Sequence, residues 1–305
     1  MKTTFHRPAI LLCSAALLFA GANYSFAQDA AIPLVGHWTF DDTDGTLRDV
    51  GPNKLNGKIN GASSVEGKAG TALQFGDGKN ARVDNKDILN GSDKFTLSLW
   101  MKIAEPSKGN GGVVAKRDQN SAAPFVLSVG NYNRLGFEGF DGSGWFGLWP
   151  EAGMPVGEWF HVAVTYQKGE RARMYLNARE IASTGVSRAM AANDQGLNFG
   201  RDPFRGNFNG QLDEVQIFGA ALSAAQVKQL ASGEKLVTRA ATKADFAPPM
   251  QQVEITLGRY DMPRANTEGL GRVKINAERV SGPNAVDWPK IFWGDQVILE
   301  KGSSQ

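Results

Sequence analysis

Residues 157–180 read GEWFHVAVTYQKGERARMYLNARE, and two alternating runs in this stretch decide the fold class. A short polar turn, 167–170, separates the two runs. Every second residue is apolar, first at Phe160, Val162, Val164 and Tyr166, then at Ala172, Met174 and Leu176. Period-two alternation on both sides of a glycine-containing turn predicts a β-hairpin with one buried face. A slip of one residue would expose that face, so the pattern also fixes the register.

Short alternating segments of the same kind recur from Val35 to Phe218, separated by turns rich in Gly, Asn and Asp. The longest is Phe95–Ile103. This pattern, with almost no helical period, predicts an all-β fold made of two packed antiparallel sheets. One short helix is expected after Ser223, because Ser223 and Gln226 form a capping box and Gly233 provides a stop.

Composition gives the chain an ordinary globular character, with 42% hydrophobic and 21% charged residues among 305. The first 27 residues have the pattern of a secretory signal peptide: Lys2 and Arg7, an apolar stretch, and small residues at Ser25 and Ala27. We expect cleavage after Ala27 and a secreted, periplasmic or cell-surface location. An uncleaved N-terminal anchor is the alternative.

Loss of Lys2 and Arg7 leaves 33 − 2 = 31 basic against 31 acidic residues. A near-neutral chain has no basic field for nucleic acid or an anionic membrane surface. The only cysteine, Cys13, lies in the signal peptide, so we expect no disulfide or thiolate site in the mature chain. No later segment is long and apolar enough to predict a transmembrane helix.

Three regions follow the signal peptide in this interpretation. The sandwich is expected over 32–233, a linker with two adjacent prolines over 234–250, and a small β-rich extension over 251–305. The extension contains three alternating runs, at 252–257, 272–280 and 291–299. These strands either pack on the sandwich or begin a further module, and the sequence leaves both open.

Several ordered segments together resemble a known family. They are GHWTFDD at 36–42, FTLSLW at 95–100, WFHVAVTY at 159–166 and NGQLDEVQIF at 209–218. In this order and spacing they look like a laminin-G-like jelly roll of the concanavalin A-like lectin/glucanase superfamily, over about 34–230. The resemblance implies a two-sheet jelly-roll sandwich that binds carbohydrate or protein more often than it catalyses a reaction.

Catalysis is not expected, because the motif of the superfamily's glucanases, Glu-x-Asp-x-x-Glu, is missing from the sequence. The nearest match, Asp213-Glu214, lies between Gln211 and Gln216 and lacks the flanking carboxylates that retaining hydrolysis uses. The histidines of the mature chain also lack a metal or nucleophile motif. A glycoside hydrolase or lyase with an atypical site is the alternative.

Three carboxylates form a candidate metal site. By alternation Asp213 shares a face with Val215, which directs it towards the core. If the first and last strands are neighbours, as the resemblance implies, Asp41 and Asp42 could join Asp213 around a structural Ca²⁺. The alternative is that Asp213 accepts backbone N–H groups while Asp41 and Asp42 cap a turn.

The second candidate site is a glycine-rich aromatic loop at 137–149. Its site residues are Phe140, Trp145, Phe146 and Trp149, with Arg134 and Asp141 as hydrogen-bonding partners for hydroxyl groups. Exposed rings stack on the C–H faces of sugars and also anchor protein partners. The alternative is a loop folded onto the sandwich, with Trp145 and Trp149 as local core.

These observations predict a non-catalytic binding protein whose partner is a polysaccharide or glycoconjugate. An adhesive or structural protein that binds another extracellular protein is the second hypothesis. Nucleic acid is not an expected partner.

Overall fold

The computed structural model describes residues 31–42, 44–90, 93–117 and 122–246. Beyond 246 it describes only the strands β20 (Gln252–Val253), β21 (Ile275–Asn276), β22 (Ile291–Trp293) and β23 (Gln296–Leu299). The predicted signal peptide lies outside the described residues. No helix in the described part of the chain has the length and apolar character needed to span a membrane.

Two large, mainly antiparallel sheets build the molecule, as the alternating pattern predicts, and together they form a jelly-roll sandwich. Sheet A contains β1 (Ile32–Trp38), β4 (Ser63–Glu66), β5 (Thr71–Phe75), β7 (Lys94–Ile103), β12 (Trp159–Gln167), β13 (Arg171–Leu176), β14 (Arg179–Gly185), β18 (Gly210–Phe218) and β19 (Thr238–Ala240). Its main order is β14-β13-β12-β7-β18-β1-β19, and β5 joins β18 and β4.

Sheet B forms the other layer. It contains β2 (Thr46–Leu47), β3 (Gly57–Asn60), β6 (Asn80–Val83), β8 (Gly111–Ala115), β9 (Val126–Val129), β10 (Leu135–Phe140), β11 (Trp145–Leu148), β15 (Leu197–Phe199), β16 (Arg201–Asp202) and β17 (Gly206–Asn207). Its main order is β11-β10-β9-β8-β15-β6-β3-β2. Three short 3₁₀ turns, at Asp87–Leu89, Asn131–Asn133 and Lys243–Asp245, lie in the connections.

The core fills the space between the inner faces of the two sheets. On β7 every second side chain is buried there, as its alternation predicts: Phe95, Leu97, Leu99, Met101 and Ile103. Ring contacts join the layers, with centroids 4.5 Å apart for Phe95 and Phe125 and 5.1 Å apart for Trp38 and Phe199. Each such buried side chain contributes about 1.5–3 kcal/mol by leaving water.

The hairpin predicted from 157–180 is confirmed as β12 and β13. Val162 pairs with Leu176 and Val164 with Met174, so the apolar faces coincide. The next connection, between β13 and β14, has only two residues, Asn177 and Ala178, with φ of 46° and 68°. Two left-handed residues are typical of a type I′ turn, which favours Asn followed by Gly. Ala178 therefore adopts a conformation in which its Cβ is strained.

Helix α1 (Ala224–Ala231) is the one α-helix of the described residues, and its predicted capping box is confirmed. The Ser223 hydroxyl accepts from the Gln226 N–H, and the Gln226 side chain accepts from the Ser223 N–H. Val227 and Leu230 pack on the outer face of sheet A, in a small second core with Phe218 and Tyr175. The helix thus covers part of the outer face of sheet A.

The region predicted as a linker begins with ordered structure rather than free chain. β19 pairs in parallel with β1, joining Ile32 to Thr238. Ala241 is buried, and Phe246 packs against the core. Within the described residues the sandwich therefore extends to Phe246 instead of ending at 233. In the C-terminal region β20 pairs with β21 and β22 with β23, so strands lie within all three predicted runs.

Candidate ligand-binding site on the outer face of sheet B

The hairpin of β10 and β11 presents alternate side chains to the two faces of sheet B. Phe137 and Leu148 face each other in register and are both buried in the core. Glu138, Phe140 and Trp145 have the opposite parity, so they lie on the outer face. The glycine-rich loop of the sequence is therefore a β-hairpin that displays one set of side chains away from the core.

Three large rings remain about half exposed in this region: Trp145 at 50%, Trp149 at 57% and Phe204 at 54%. Trp145 is on β11, Trp149 follows it, and Phe204 lies in the turn between β16 and β17. We call these three residues the outer platform. Scattered apolar side chains are normal at a surface, but a group of exposed rings marks a place where another molecule binds.

Glycines bring Trp149 close to the sheet. A Cβ atom on either Gly136 or Gly147 would overlap the indole of Trp149. The ring therefore packs against bare backbone on one side, while more than half of its surface stays exposed. This backing fixes the orientation of the exposed ring before any partner arrives, which lowers the entropy cost of binding.

Arg117 connects the other two rings of the outer platform. Its Cζ atom lies 5.8 Å from the centroid of Trp145 and 4.8 Å from that of Phe204. The two centroids are consequently no more than 5.8 + 4.8 = 10.6 Å apart. Phe140 contacts Trp145 from the neighbouring strand, at a centroid distance of 5.5 Å. Cation–π contacts of this kind hold rings in place while leaving their outer surface free.

Buried charges form the floor beneath the rings. Arg117 forms a two-point ion pair with Asp202, and its Nε lies 2.9 Å from Asp202 Oδ1. Arg205 lies 2.7 Å from the carboxylate of Glu138, which is 3.8 Å from Arg117. Two arginines and two carboxylates balance one another, so the floor carries no net charge. Pairing is needed here because an isolated buried ion is strongly disfavoured.

The residues predicted for this site occupy different environments. Phe140, Trp145 and Trp149 lie on the outer face. Phe146 faces inward, packs against Phe137 and Tyr166, and takes no part in the outer platform. The alternative of two buried tryptophans is wrong, because both Trp145 and Trp149 are exposed.

Asp141 and Arg134 lie at the edge of the candidate site and not among its three exposed rings. Asp141 accepts hydrogen bonds from the N–H groups of Ser143 and Gly144, so it shapes the turn. Partial burial opposes its ionisation, but these hydrogen bonds hold the pKa of Asp141 below its usual value. Arg134 is exposed, and its Cζ lies 5.8 Å from the ring centroid of Tyr132, which is also exposed.

Sequence reasoning missed Arg117, Asp202 and Phe204. They lie 28 or more residues away from Trp145 along the chain. Arg117 follows β8 and contacts Trp145, and the packing of β16 and β17 against β8 brings Asp202 and Phe204 to Arg117. The one local signal is the pair Gly111-Gly112 on β8. A Cβ on Gly112 would overlap the backbone of Asp202, so glycine permits this close approach.

The predicted metal cluster has a different structure from the one expected. A β-bulge between Asp213 and Gln216, with φ of 49° at Glu214, adds a residue to β18. The prediction that Asp213 shares a face with Val215 is therefore wrong. Asp213 pairs with Trp100 on the outer face of sheet A. The two strands expected to be neighbours, β1 and β18, do pair.

Backbone N–H groups surround the buried carboxylate of Asp213. Oδ2 accepts from Lys68 and Ala69 at 2.8 and 2.9 Å, and Oδ1 accepts from Glu214 at 2.8 Å. Burial, aided by the charge of Glu214, nevertheless raises the pKa of Asp213 to about 6. The residue fastens the turn between β4 and β5 onto β18.

The other two carboxylates of the cluster also have protein partners. Asp41 accepts from the Thr71 N–H at 2.8 Å, and Asp42 pairs with Arg48 at 2.9 Å. No group of three His, Cys, Asp or Glu residues suited to a metal occurs in the described part of the chain. Ca²⁺ needs six to eight oxygen ligands, and this donor set is already committed to N–H groups and a guanidinium. Calcium binding stays a prediction, and these contacts do not favour it.

The two histidines considered in the sequence lie on sheet A. His161 is buried, its Nε2 is 2.8 Å from the Ser98 hydroxyl, and burial lowers its pKa to about 4. His37 Nε2 lies 2.6 Å from Glu214. Neither histidine is part of the outer platform, which lies on sheet B.

A profile described as the concanavalin A-like lectin/glucanases superfamily matches residues 75–228, half of the chain. The chain therefore belongs to this superfamily, in its laminin-G branch. Among curated proteins, none matches the chain significantly.

Solved structures share the fold at low sequence identity. The binding domain of Paraclostridial Mosquitocidal Protein 1 superimposes with a TM-score of 0.56 at 17% identity, covering 66% of this chain and 52% of that one. Domain 4 of AbnA, a GH43 extracellular arabinanase from Geobacillus stearothermophilus in complex with arabinotriose, has a TM-score of 0.54 at 22% identity. The match covers 66% of this chain and 99% of that one. The binding domain of Botulinum Neurotoxin DC in complex with SialylT has a TM-score of 0.52 at 14% identity, covering 66% of this chain and 51% of that one. The chain thus spans about half the length of the two toxin domains.

Proposed function

We propose that this chain is an exported, non-catalytic binding module that recognises carbohydrate through the outer platform. The observation that carries the proposal is the set of three half-exposed rings, Trp145, Trp149 and Phe204, held on one face by glycine and Arg117. The export signal is the part of the proposal that rests on sequence alone.

Carbohydrate fits this surface for two physical reasons. Flat, immobile rings offer a face to the C–H side of a sugar, and each ring costs little entropy on binding because it is already fixed. The floor beneath them has paired charges with no net sign, which suits a hydroxyl-rich ligand better than a strongly charged one.

The comparisons support the same class of partner. One structure with this fold is in complex with arabinotriose and another is in complex with SialylT. A related neurotoxin binding domain is also described in complex with rat synaptotagmin II, a protein. Protein binding is therefore the competing outcome that an experiment has to separate from sugar binding.

The test is affinity electrophoresis and calorimetry with arabinan, xylan, mixed-linkage glucan and sialylated oligosaccharides. We expect at least one to bind, and we expect Trp145→Ala and Trp149→Ala to weaken that binding at least tenfold, as is typical of aromatic anchors. Val237→Ala, an exposed apolar change in the segment leading to β19, serves as the control. Normal circular dichroism and melting temperature would show that each variant folds.

Two results would contradict the proposal. Unchanged binding in both tryptophan variants would remove the outer platform from the function. Turnover of a polysaccharide by the purified protein, lost on substitution of one carboxylate, would replace the binding role with a catalytic one.

A further inference from the structure

A polar pocket of about 240 Å³ opens at the opposite end of sheet B from the outer platform. It lies over β3 and β6 and is lined by Asn56, Gly57, Lys58, Asn60, Arg82 and Asp84. We call it the polar pocket. It contains no aromatic side chain, so its chemistry differs from that of the rings.

The polar pocket and the outer platform are on the same face of the sheet. A row of residues paired strand to strand crosses sheet B from β10 to β3. It begins at Glu138, passes through Val126, Ala115, Asn198 and Arg82, and ends at Lys58. Residues paired in this way point to one face. Five strand spacings of about 4.8 Å separate Glu138 from Lys58, a distance of about 24 Å. Phe204, at the near end of the outer platform, lies over Arg117, which follows β8.

A buried amide connects the two regions. Asn198 Oδ1 accepts from Arg82 at 3.4 Å, and its Nδ2 donates to the carbonyl of Arg117 at 3.0 Å. Arg117 in turn contacts Trp145 and Phe204. The wall of the polar pocket and the support of the outer platform therefore belong to one rigid part of the sandwich.

Several groups in the polar pocket have hydrogen-bonding capacity left for a ligand. Asn56 uses its Oδ1 to accept from Asp49, and Asn60 uses its Nδ2 to donate to Asn80, which leaves the other end of each amide. The side chains of Lys58 and Asp84 make no hydrogen bond or ion pair within the described residues and are exposed. The pocket thus offers donors and acceptors together.

We propose that the polar pocket is a second subsite of the carbohydrate site and binds the hydroxyl groups of a neutral sugar unit. The inference rests on the proposed function. A hydroxyl both donates and accepts, so it can pair with the Asp84 carboxylate and the Lys58 ammonium at once. A carboxylate or sulfate of an acidic sugar would face Asp84, and a cationic group would face Lys58 and Arg82, whose guanidinium donates to Asn198.

The separation of the two subsites predicts how affinity depends on ligand length. A chain shorter than about 24 Å cannot contact Trp145 at the far end of the outer platform and Lys58 in the pocket at the same time. A longer chain engages both, and the second contact then forms at high effective concentration. Loss of the polar pocket should therefore affect long chains and spare short ones.

The experiment is calorimetry of the full chain with linear arabino-oligosaccharides and linear β-glucan oligosaccharides, each in lengths below and above the span. Oligogalacturonides provide the acidic counterpart. The variants are Asp84→Asn and Asn60→Ala in the pocket and Trp145→Ala and Trp149→Ala in the outer platform. Glu66→Gln, an exposed carboxylate on β4 of the other sheet, is the matched control for Asp84→Asn.

We expect Asp84→Asn to weaken the binding of long neutral chains about tenfold, which is the cost of losing one hydrogen bond to a charged group. The affinity for short chains should not change. Equal affinity of this variant and wild type for long chains would overturn the second subsite while leaving the outer platform intact. Tighter binding of oligogalacturonides than of neutral chains would overturn the assignment to a neutral sugar. If Trp145→Ala and Trp149→Ala both leave binding unchanged while Asp84→Asn weakens it, the outer platform has no part in recognition and the proposed function fails.

Discussion

The indole of Trp149 lies directly over Gly136, in the space that a β-carbon at that position would occupy. Replacing Gly136 with alanine should therefore push the ring away from the sheet. We expect Gly136→Ala to weaken carbohydrate binding about tenfold, since a displaced ring loses its fixed orientation. Calorimetry with the best-binding polysaccharide of the screen measures this loss.

Gly144→Ala is the matched control, because nothing lies within 4 Å of a Cβ at Gly144 in the same hairpin. It should bind like the wild type. Equal binding by Gly136→Ala and Gly144→Ala would show that the position of the Trp149 ring does not matter for recognition.

The ion pair of Arg117 and Asp202 gives a prediction about stability. Arg117→Met leaves the fully buried Asp202 carboxylate without its cation, and we expect a loss of about 3–5 kcal/mol in the free energy of unfolding. Adding Asp202→Asn should recover much of that loss, since the amide keeps an acceptor for the Phe204 N–H. Urea denaturation of the single and double variants measures both. A double variant no more stable than Arg117→Met would show that the cost does not come from the uncompensated charge.

The two-residue turn after β13 predicts a stabilising substitution. Ala178 has a φ of 68°, where glycine has no Cβ penalty, so Ala178→Gly should raise the free energy of unfolding by about 1 kcal/mol. Ala182→Gly, at an extended position on β14, should instead lower it by about 0.5–1 kcal/mol. Thermal and urea unfolding distinguish the two. A destabilised Ala178→Gly protein would argue against the type I′ geometry.

Asp213 predicts a specific dependence of stability on pH. Its pKa of about 6 in the folded protein exceeds the value of about 3.9 in an unfolded chain. The stabilisation from its proton is therefore fully present below about pH 4 and is lost as the pH rises through about 6. The difference in unfolding free energy between wild type and Asp213→Asn should fall over this interval and level off above it. An NMR titration of the Asp213 carboxyl group gives an independent measurement, and a midpoint near 4 would contradict the prediction.

The three carboxylates of the predicted metal site already have protein partners, which predicts that Ca²⁺ has no effect on stability. Because Asp213 and Asp41 already accept backbone N–H groups and Asp42 pairs with Arg48, chelation should leave the melting temperature unchanged. Calorimetry of chelated protein with Ca²⁺ should show no binding heat. A rise in melting temperature on adding Ca²⁺, lost in Asp42→Asn, would establish the metal site that the sequence predicts.

Local patterns were sufficient for much of the fold. Alternation placed Phe95 and Val162 in the core, and the capping box at Ser223 located the helix, because each depends on neighbours within a few residues. The pattern failed at Asp213, where one extra residue at the bulge exchanges the two faces of the strand. It also failed after residue 233, because the docking of β19 depends on a partner strand about 200 residues earlier.

The candidate site was predictable only where it is local. Trp145 and Trp149 stand out in the sequence because glycines surround them, and the structure places both on the surface. Alternation could also have shown that Phe146 points the other way, since it is adjacent to Trp145 on one strand. The contribution of Phe204 depends on how two short strands fold over β8, and no spacing in the sequence encodes that contact.

The parallel pairing of β1 with β19 brings Ile32 beside Thr238, so the first and last strands of the sandwich lie side by side at one edge of sheet A. A linker from residue 246 back to Ile32 could join these strands, and new termini could then be opened in an exposed loop without cutting a strand. Such a circular permutant should keep both binding regions, because sheet B takes no part in the junction. The same geometry makes the sandwich suitable for grafting into a surface loop of a host protein.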